Sequence, residues 1–210
     1  TKPYTYRLNN GTFQSSATFG SLAVGKFTAL VQDKNACSDT TVFSVNYVDA
    51  VKPVVKLKAI TRYLNNAGKV RITLTDIDNG ITDNREIQKT SVSQTEFDCS
   101  NLGINTVTVT VYDLKGNMQQ EDVTVTILDS VRPILKTQST SVYLGQSGNA
   151  TLNPNSLNKS SSDNCGIQSF TASQTSFDCS LLGRNSIDVT ATDASGNKTT
   201  KKEVVNVQDT

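Results

Sequence analysis

The chain has no histidine and no tryptophan among its 210 residues, and neither sign of charge prevails, with 20 Lys+Arg against 19 Asp+Glu. Without histidine there is no Ser-His-Asp or Cys-His nucleophile pair and no imidazole-held zinc, because His alone has an ordinary pKa near neutrality. Carboxylate-only hydrolysis is the catalytic chemistry left open, and no tryptophan is present as a platform for a sugar ring. Balanced charge gives no basic footprint for nucleic acid or an anionic membrane. No apolar run approaches the ~20 residues that cross a bilayer, and Thr1-Lys2-Pro3 does not open a signal peptide. The four cysteines, Cys37, Cys99, Cys165 and Cys179, contain no CxxC pair, which excludes a zinc ribbon and a thioredoxin-like motif. The composition reads as a soluble, non-enzymatic piece of something longer.

What the chain does contain is a repeat. An offset of 80 positions aligns Lys52–Ser130 with Arg132–Thr210 without a gap. The closest block sets Ser93-Gln94-Thr95-Glu96-Phe97-Asp98-Cys99-Ser100 against Ser173-Gln174-Thr175-Ser176-Phe177-Asp178-Cys179-Ser180. Asp83-Asn84 matches Asp163-Asn164, Leu102-Gly103 matches Leu182-Gly183, and Asp113, Gly116 and Asn117 match Asp193, Gly196 and Asn197. A gapless period of that length means two copies of one folded module, since solenoid units run to about 20–50 residues. The junctions repeat as well: Val48-Asp49-Ala50-Val51-Lys52-Pro53 corresponds to Leu128-Asp129-Ser130-Val131-Arg132-Pro133. Each short linker carries a proline, which fixes φ and stiffens the connection. Such linkers predict a rod.

Alternation of period two dominates and argues for half-buried strands. Val107, Val109 and Val111 are interleaved with threonines, and Val123-Thr124-Val125-Thr126-Ile127 follows the turn Asp113-Leu114-Lys115-Gly116-Asn117. Ile187, Val189 and Ala191 repeat the first run, Val205 and Val207 the second, and Val70, Ile72 and Leu74 predict a strand nearer the front. Helical periodicity is absent. About seven short strands per 80 residues predict an all-β fold of tandem immunoglobulin-like β-sandwich modules, at 51–130 and 131–210. Residues 1–50 differ. An Asn9-Asn10-Gly11 turn predicts a hairpin over Tyr4–Phe13, with two further strands around Gly25–Asp33 and Val42–Val45. Fewer than ~60 residues bury a marginal core, so this segment reads as a small or partial β module.

Several of these residues resemble a known family. Gly80-Ile81-Thr82-Asp83-Asn84, Phe97-Asp98-Cys99, Leu102-Gly103-Ile104-Asn105 and Asp113-Leu114-Lys115-Gly116-Asn117 resemble the HYR-like immunoglobulin-type repeats of secreted surface proteins in Bacteroidetes. Residues 52–210 carry the pattern twice, and Ser162-Asp163-Asn164-Cys165-Gly166 follows it closely, whereas Arg85 stands where that family has cysteine. The front segment, through Tyr6, Asn9, Gly11, Phe13, Leu22–Thr28 and Val31–Cys37, resembles the end of the repeat found in SprB-type gliding adhesins. The resemblance implies a stalk or repeated adhesive module of a cell-surface filament, exported by the type IX pathway. Its implied partners are neighbouring repeats of the same chain, the gliding machinery through the parent protein, and an external surface or polysaccharide of unknown identity. Nucleic acid and membrane insertion are not expected. A carbohydrate- or protein-binding accessory module of a secreted hydrolase is the alternative, because fold does not dictate function.

The family pattern has cysteine at both Cys165 and Cys179, fourteen positions apart, and so implies a disulfide between them. Such a bond would be worth ~3 kcal/mol by chain entropy and suits an extracellular chain; the other reading is two buried thiols. Cys99, facing Arg85, is then expected as a free, buried, small hydrophobe. A Cys37–Cys99 bridge would require the two segments to fold together.

Acidic and amide residues gather in the predicted loops: Asp76, Asp78, Asp83, Asp113 and Asn117, their counterparts Asp163, Asp193 and Asn197, and the junction residues Asp49 and Asp129. Calcium takes six to eight oxygen ligands, which loops at one end of a sandwich can converge, so Ca2+ is a candidate cofactor. The competing reading is turn chemistry, because Asp, Asn and Gly occupy such positions for local backbone reasons. Asp76-Ile77-Asp78-Asn79-Gly80 resembles the start of an EF-hand loop, and Glu86 fits its spacing, but no flanking helices are predicted and the second copy reads Ser156-Leu157-Asn158-Lys159-Ser160. Asp39-Thr40-Thr41 and Asp129-Ser130-Val131 resemble the short O-glycosylation pattern of Bacteroidetes, making Thr40 and Ser130 candidate acceptors. Asp83 with Glu86, or Asp76 with Asp78, would be the conceivable hydrolytic pairs, and the second copy keeps neither.

Overall fold

Apolar residues at every second position give a strand one face that must leave water, and two such faces make a core. The computed structural model describes residues 3–209. They fall into two compact units, Thr1–Val51 and Lys52–Thr210.

The second unit holds the repeat. Its first copy consists of β4 (Ile60–Tyr63), β5 (Lys69–Arg71), a one-turn helix α1 (Leu74–Ile77), β6 (Ile87–Val92), β7 (Glu96–Asp98), β8 (Gly103–Asp113) and β9 (Met118–Leu128). The second copy follows as β10 (Thr140–Leu144), β11 (Asn149–Thr151), β12 (Ile167–Ala172), β13 (Ser176–Asp178), β14 (Gly183–Asp193) and β15 (Lys198–Asp209). Each copy is a four-stranded sheet facing a two-stranded one: β4-β9-β8-β6 with β5-β7, then β10-β15-β14-β12 with β11-β13. Strand β4 runs parallel to β9, and β10 to β15, while the other pairs are antiparallel. Val107, Val109, Val111, Val125 and Ile127 are fully buried against Ile72, Ile77 and Phe97. In the second copy Val189, Val205, Leu144 and Leu157 close around Phe177 in the same way. Burial of each such side chain contributes roughly 1.5–3 kcal/mol.

Two local details depart from the alternation. Six strands form per copy among the described residues, because the segment ahead of β4 makes only the isolated bridges Val54–Thr82 and Leu57–Asp78; Ile134–Ser162 and Thr137–Asn158 repeat them. The expected strand through Val70, Ile72 and Leu74 ends at Arg71. There the Asp76 carboxylate accepts the backbone N–H of Thr73 at 2.7 Å and its hydroxyl at 2.9 Å. That local bonding turns the chain into α1, which delivers Ile77 to the core in place of a further strand position.

The first unit is one antiparallel sheet in the order β1 (Tyr4–Leu8), β2 (Gly25–Asp33), β3 (Ser38–Val45). The Asn9–Gly11 turn is present, with Gly11 N–H donating to the Leu8 carbonyl, but the hairpin it closes is a single bridge from Tyr6 to Gln14, and β1 pairs mainly with β2. Among the described residues of this unit no hydrophobic side chain is buried, as expected of one sheet without a second layer. No helix among the described residues is long and apolar enough to cross a membrane.

Candidate functional site at the junction of the two sandwiches

Strand β9 ends at Leu128, whose carbonyl accepts the N–H of Leu64 at 2.9 Å, and the next residue, Asp129, is 9% exposed. Its Oδ1 accepts the Val131 N–H at 3.0 Å, closing a turn around the linker. The second sandwich brings two loops to this point. The β14–β15 hairpin is built on Asp193, whose Oδ1 accepts the N–H groups of Ser195 (2.9 Å) and Asn197 (2.8 Å), while Oδ2 accepts from the Asn197 amide at 2.8 Å. The same Asn197 amide donates to the Asp129 carbonyl at 3.2 Å. The loop ahead of β12 supplies Asp163 and Asn164, and the Asn164 amide bridges Asp129 Oδ1 (3.1 Å) and the Asn65 carbonyl (3.2 Å). Carboxylate oxygens of Asp129, Asp163 and Asp193 all lie within 4.8 Å of one another.

Three anions so close repel strongly: at an effective dielectric of 20, each pair costs about 3.5 kcal/mol. Among the described residues no lysine or arginine forms an ion pair with any of them; Arg132 lines the cleft beside Asp163 without reaching it. Both oxygens of Asp163 and Oδ2 of Asp129 are buried and accept no hydrogen bond. Burial pushes the Asp163 carboxyl above the ordinary carboxylate range, and the charges of Asp193 and Asp129 push it further. The backbone N–H groups of Asn164 and Cys165 oppose that rise without reaching hydrogen-bond geometry. Buried carboxylate oxygens with no donor fit a hard divalent cation, whose remaining ligands would be carbonyls and water. The donor set contains no imidazole or thiolate, which disfavours zinc or copper.

Next to these acids the two sandwiches are joined covalently. Cys165 is bonded to Cys99, 66 residues earlier, with Cα atoms 5.4 Å apart. The expected Cys165–Cys179 bond is therefore absent, Cys99 is not a free thiol, and the free, exposed cysteines are Cys37 and Cys179. The reason is position along the sandwich. Cys165 precedes β12 at the pole that also holds Asp193, the end of β14, whereas Cys179 lies just ahead of Gly183, where β14 begins. An eleven-residue strand covers roughly 35 Å, far beyond the Cα separation a disulfide spans. The first sandwich puts Cys99 at the pole that the second one meets. Gly68 makes the fit possible: a Cβ there would stand 2.8 Å from both the Asn164 carbonyl and the Cys99 sulfur.

The other candidate ligands divide between site and turn. Asp83 and Asp113 repeat Asp163 and Asp193, with carboxylate oxygens within 4.8 Å of each other, and Asp49 accepts the Val51 N–H as Asp129 accepts that of Val131. Asn117 and Asn197 each donate an amide N–H to the aspartate of their own turn, Asp113 and Asp193. Asp76 is spent on Thr73 and on an ion pair with Arg62 at 2.6 Å, and Asp78 on the N–H groups of Gly80 and Ile81. Both carboxylates are engaged in the local turns. Thr40 is exposed in β3, and Ser130 is exposed beside Asp129. The residue sequence reasoning passed over is Asn164; its signal was the repeated Asp-Asn at 83–84 and 163–164.

The acids also carry opposite pH signatures. Burial works to raise Asp113, but hydrogen bonds from the Asn117 side chain and from the backbone of Asn117 and Lys115 outweigh it and hold the carboxyl low. The Ser100 and Ser180 hydroxyls do the same for Asp98 and Asp178. A lowered carboxyl contributes stability that is present above its unfolded pKa and lost as pH falls through the folded one. Asp163 is raised, so its contribution is full below the unfolded pKa and lost as pH rises through the folded one. Carboxyl NMR titration in chelator is expected to show Asp163 titrating at higher pH than Asp113; titration of the two together would contradict this environment.

No family model and no curated protein matches this sequence. Among solved structures the chain is similar to extracellular cadherin repeats. Mouse cadherin-23 EC22-24 is 13% identical with a TM-score of 0.37, over 99% of this chain and 86% of that one. Human mucin-like protocadherin EC1-2 is 12% identical with a TM-score of 0.41, over 77% of this chain and 100% of that one. Protocadherin gamma B7 cadherin domains 1-4 is 13% identical with a TM-score of 0.35, over 89% of this chain. The chain spans 58% of that gamma B7 fragment and 36% of the protocadherin gamma B4 extracellular domain.

Proposed function

We propose that this chain is a non-catalytic repeat segment of an extracellular, cell-surface adhesin filament that serves surface attachment and gliding motility. Residues 51–130 and 131–210 are its sandwich modules, and 1–50 is a smaller β module ahead of them. The observation that carries the reading is the Cys99–Cys165 bond, which clips one sandwich to the next at their junction. A disulfide persists in oxidising surroundings outside the cytosol, and one placed between repeats resists separation under tension. The acid cluster beside it supports calcium as the ion of the junction, held by Asp129, Asp163 and Asp193. When bound, the cation would offset two of the three negative charges; the protein's part is to hold the carboxylates in place, through Asn197 on Asp193 and Asn164 on Asp129. Tension would then pass through the backbone ladders of β8–β9 and β14–β15 and across a junction closed by both devices.

The test is where the parent protein sits and what it does there. Antibodies raised against the chain are expected to decorate intact source cells and to slow their movement over glass. Label confined to the culture medium, travelling with a hydrolase, would replace this reading with that of an accessory module.

A further inference from the structure

We propose that the pole of the second sandwich around Cys179 is a covalent docking surface for a further repeat of this kind, one carrying a cysteine at the Cys165 position. The first sandwich supplies the comparison. Its corresponding pole consists of the Asn65–Gly68 turn, closed by a Gly68 N–H bond to the Asn65 carbonyl at 2.9 Å, with the Cys99 sulfur 3.8 Å from the Gly68 carbonyl. In the second sandwich Gly148 donates to the Gly145 carbonyl at 2.8 Å, and the Cys179 sulfur stands 3.7 Å from the Gly148 carbonyl. Both glycines have positive φ, 68° and 71°. Asp98 and Asp178 fix the adjoining turns alike, accepting the N–H of Ser100 and of Ser180 at 2.8 Å. The two poles are the same surface, one occupied and one not.

Asn164 and Cys165 occupy the first. The Asn164 carbonyl fills the space above Gly68, the Asn164 amide reaches the Asn65 carbonyl, and Cys165 takes the Cys99 sulfur. Above Gly148 the one atom within 4 Å of a Cβ position is the Cys179 sulfur itself, at 3.2 Å. Strand β15 also runs out at this pole, as β9 does at the other, so a repeat following in tandem would be delivered where β9 delivers Asp129. Closing the bond removes two protons and two electrons from the thiol pair. Oxidised glutathione suffices as acceptor, leaving as two molecules of glutathione. The inference does not depend on adhesion or on calcium.

The chain extended at its C-terminus by a second copy of residues 131–210, oxidised with glutathione disulfide, provides the test. Digestion without reduction is expected to show Cys179 joined to the appended copy's cysteine at the Cys165 position, in a monomer that also contains Cys99–Cys165. With serine at that appended position, Cys179 should again react with iodoacetamide. A chain that forms Cys99–Cys165 but leaves Cys179 open to alkylation, or joins it to a second molecule, overturns the proposal. The natural parent protein gives an independent reading: a Cys179 peptide recovered free, or paired with Cys37, would overturn it equally.

Discussion

Calcium is expected to raise the melting temperature of the chain, and Asp163→Asn to abolish that response while raising the melting temperature of the calcium-free protein. Both signs follow from one arrangement. In chelator, Asp163 sits buried and undonated against Asp129 and Asp193, so removing its charge relieves repulsion. With calcium at a hundredfold excess over its dissociation constant, mass action adds about 2.7 kcal/mol. In a unit of this size that is roughly 5–10 °C. Asp78→Asn serves as the control: its carboxylate accepts the N–H groups of Gly80 and Ile81, and its loss should leave the calcium response intact. Scanning calorimetry in calcium and in chelator reads all three proteins. A wild-type chain that melts identically in both would remove calcium from the junction. A calcium response retained in Asp163→Asn would place the ion elsewhere.

Reduction of Cys99–Cys165 is expected to be the most costly covalent change in the chain. Closing a loop of 66 residues is worth about 4 kcal/mol by the chain-entropy estimate, more than the short Cys165–Cys179 loop would have given. Cys99→Ser with Cys165→Ser should lower the melting temperature and split a single transition in two, because each sandwich has its own core and loses its tether to the other. Cys179→Ser should change neither, since that thiol is exposed and free. Peptide mapping without reduction checks the pairing directly. A Cys165–Cys179 peptide, or a double variant that melts like the wild type, would refute the cross-link as the device that couples the two sandwiches.

The strands were largely legible because burial in a sandwich depends on a property local to each strand. Val107, Val109 and Val111 must face one way whatever else the chain does, and a one-residue slip would put all three in water. The Asp113–Asn117 and Asp193–Asn197 turns were legible for the same reason, each being built from bonds between residues at most four apart. Asp76 and Asp78 could be read two ways because a carboxylate that caps a turn and one that binds a cation look alike in sequence. Only the donors around them, Thr73, Arg62, Gly80 and Ile81, tell the two apart.

By itself, then, the sequence determined an all-β chain, the 80-residue period, the residues facing the core and the acids gathered in loops. Tertiary structure alone decided which pole of a sandwich each loop occupies. Cys165 lies closer in sequence to Cys179 than to Cys99, yet β14 holds the first pair a strand's length apart, and the head-to-tail meeting of the sandwiches brings the second pair together. Asp129, Asp163 and Asp193 converge for the same reason: they leave three different segments at one pole. Periodicity is set residue by residue along a strand, whereas contacts between repeats depend on how two finished surfaces meet.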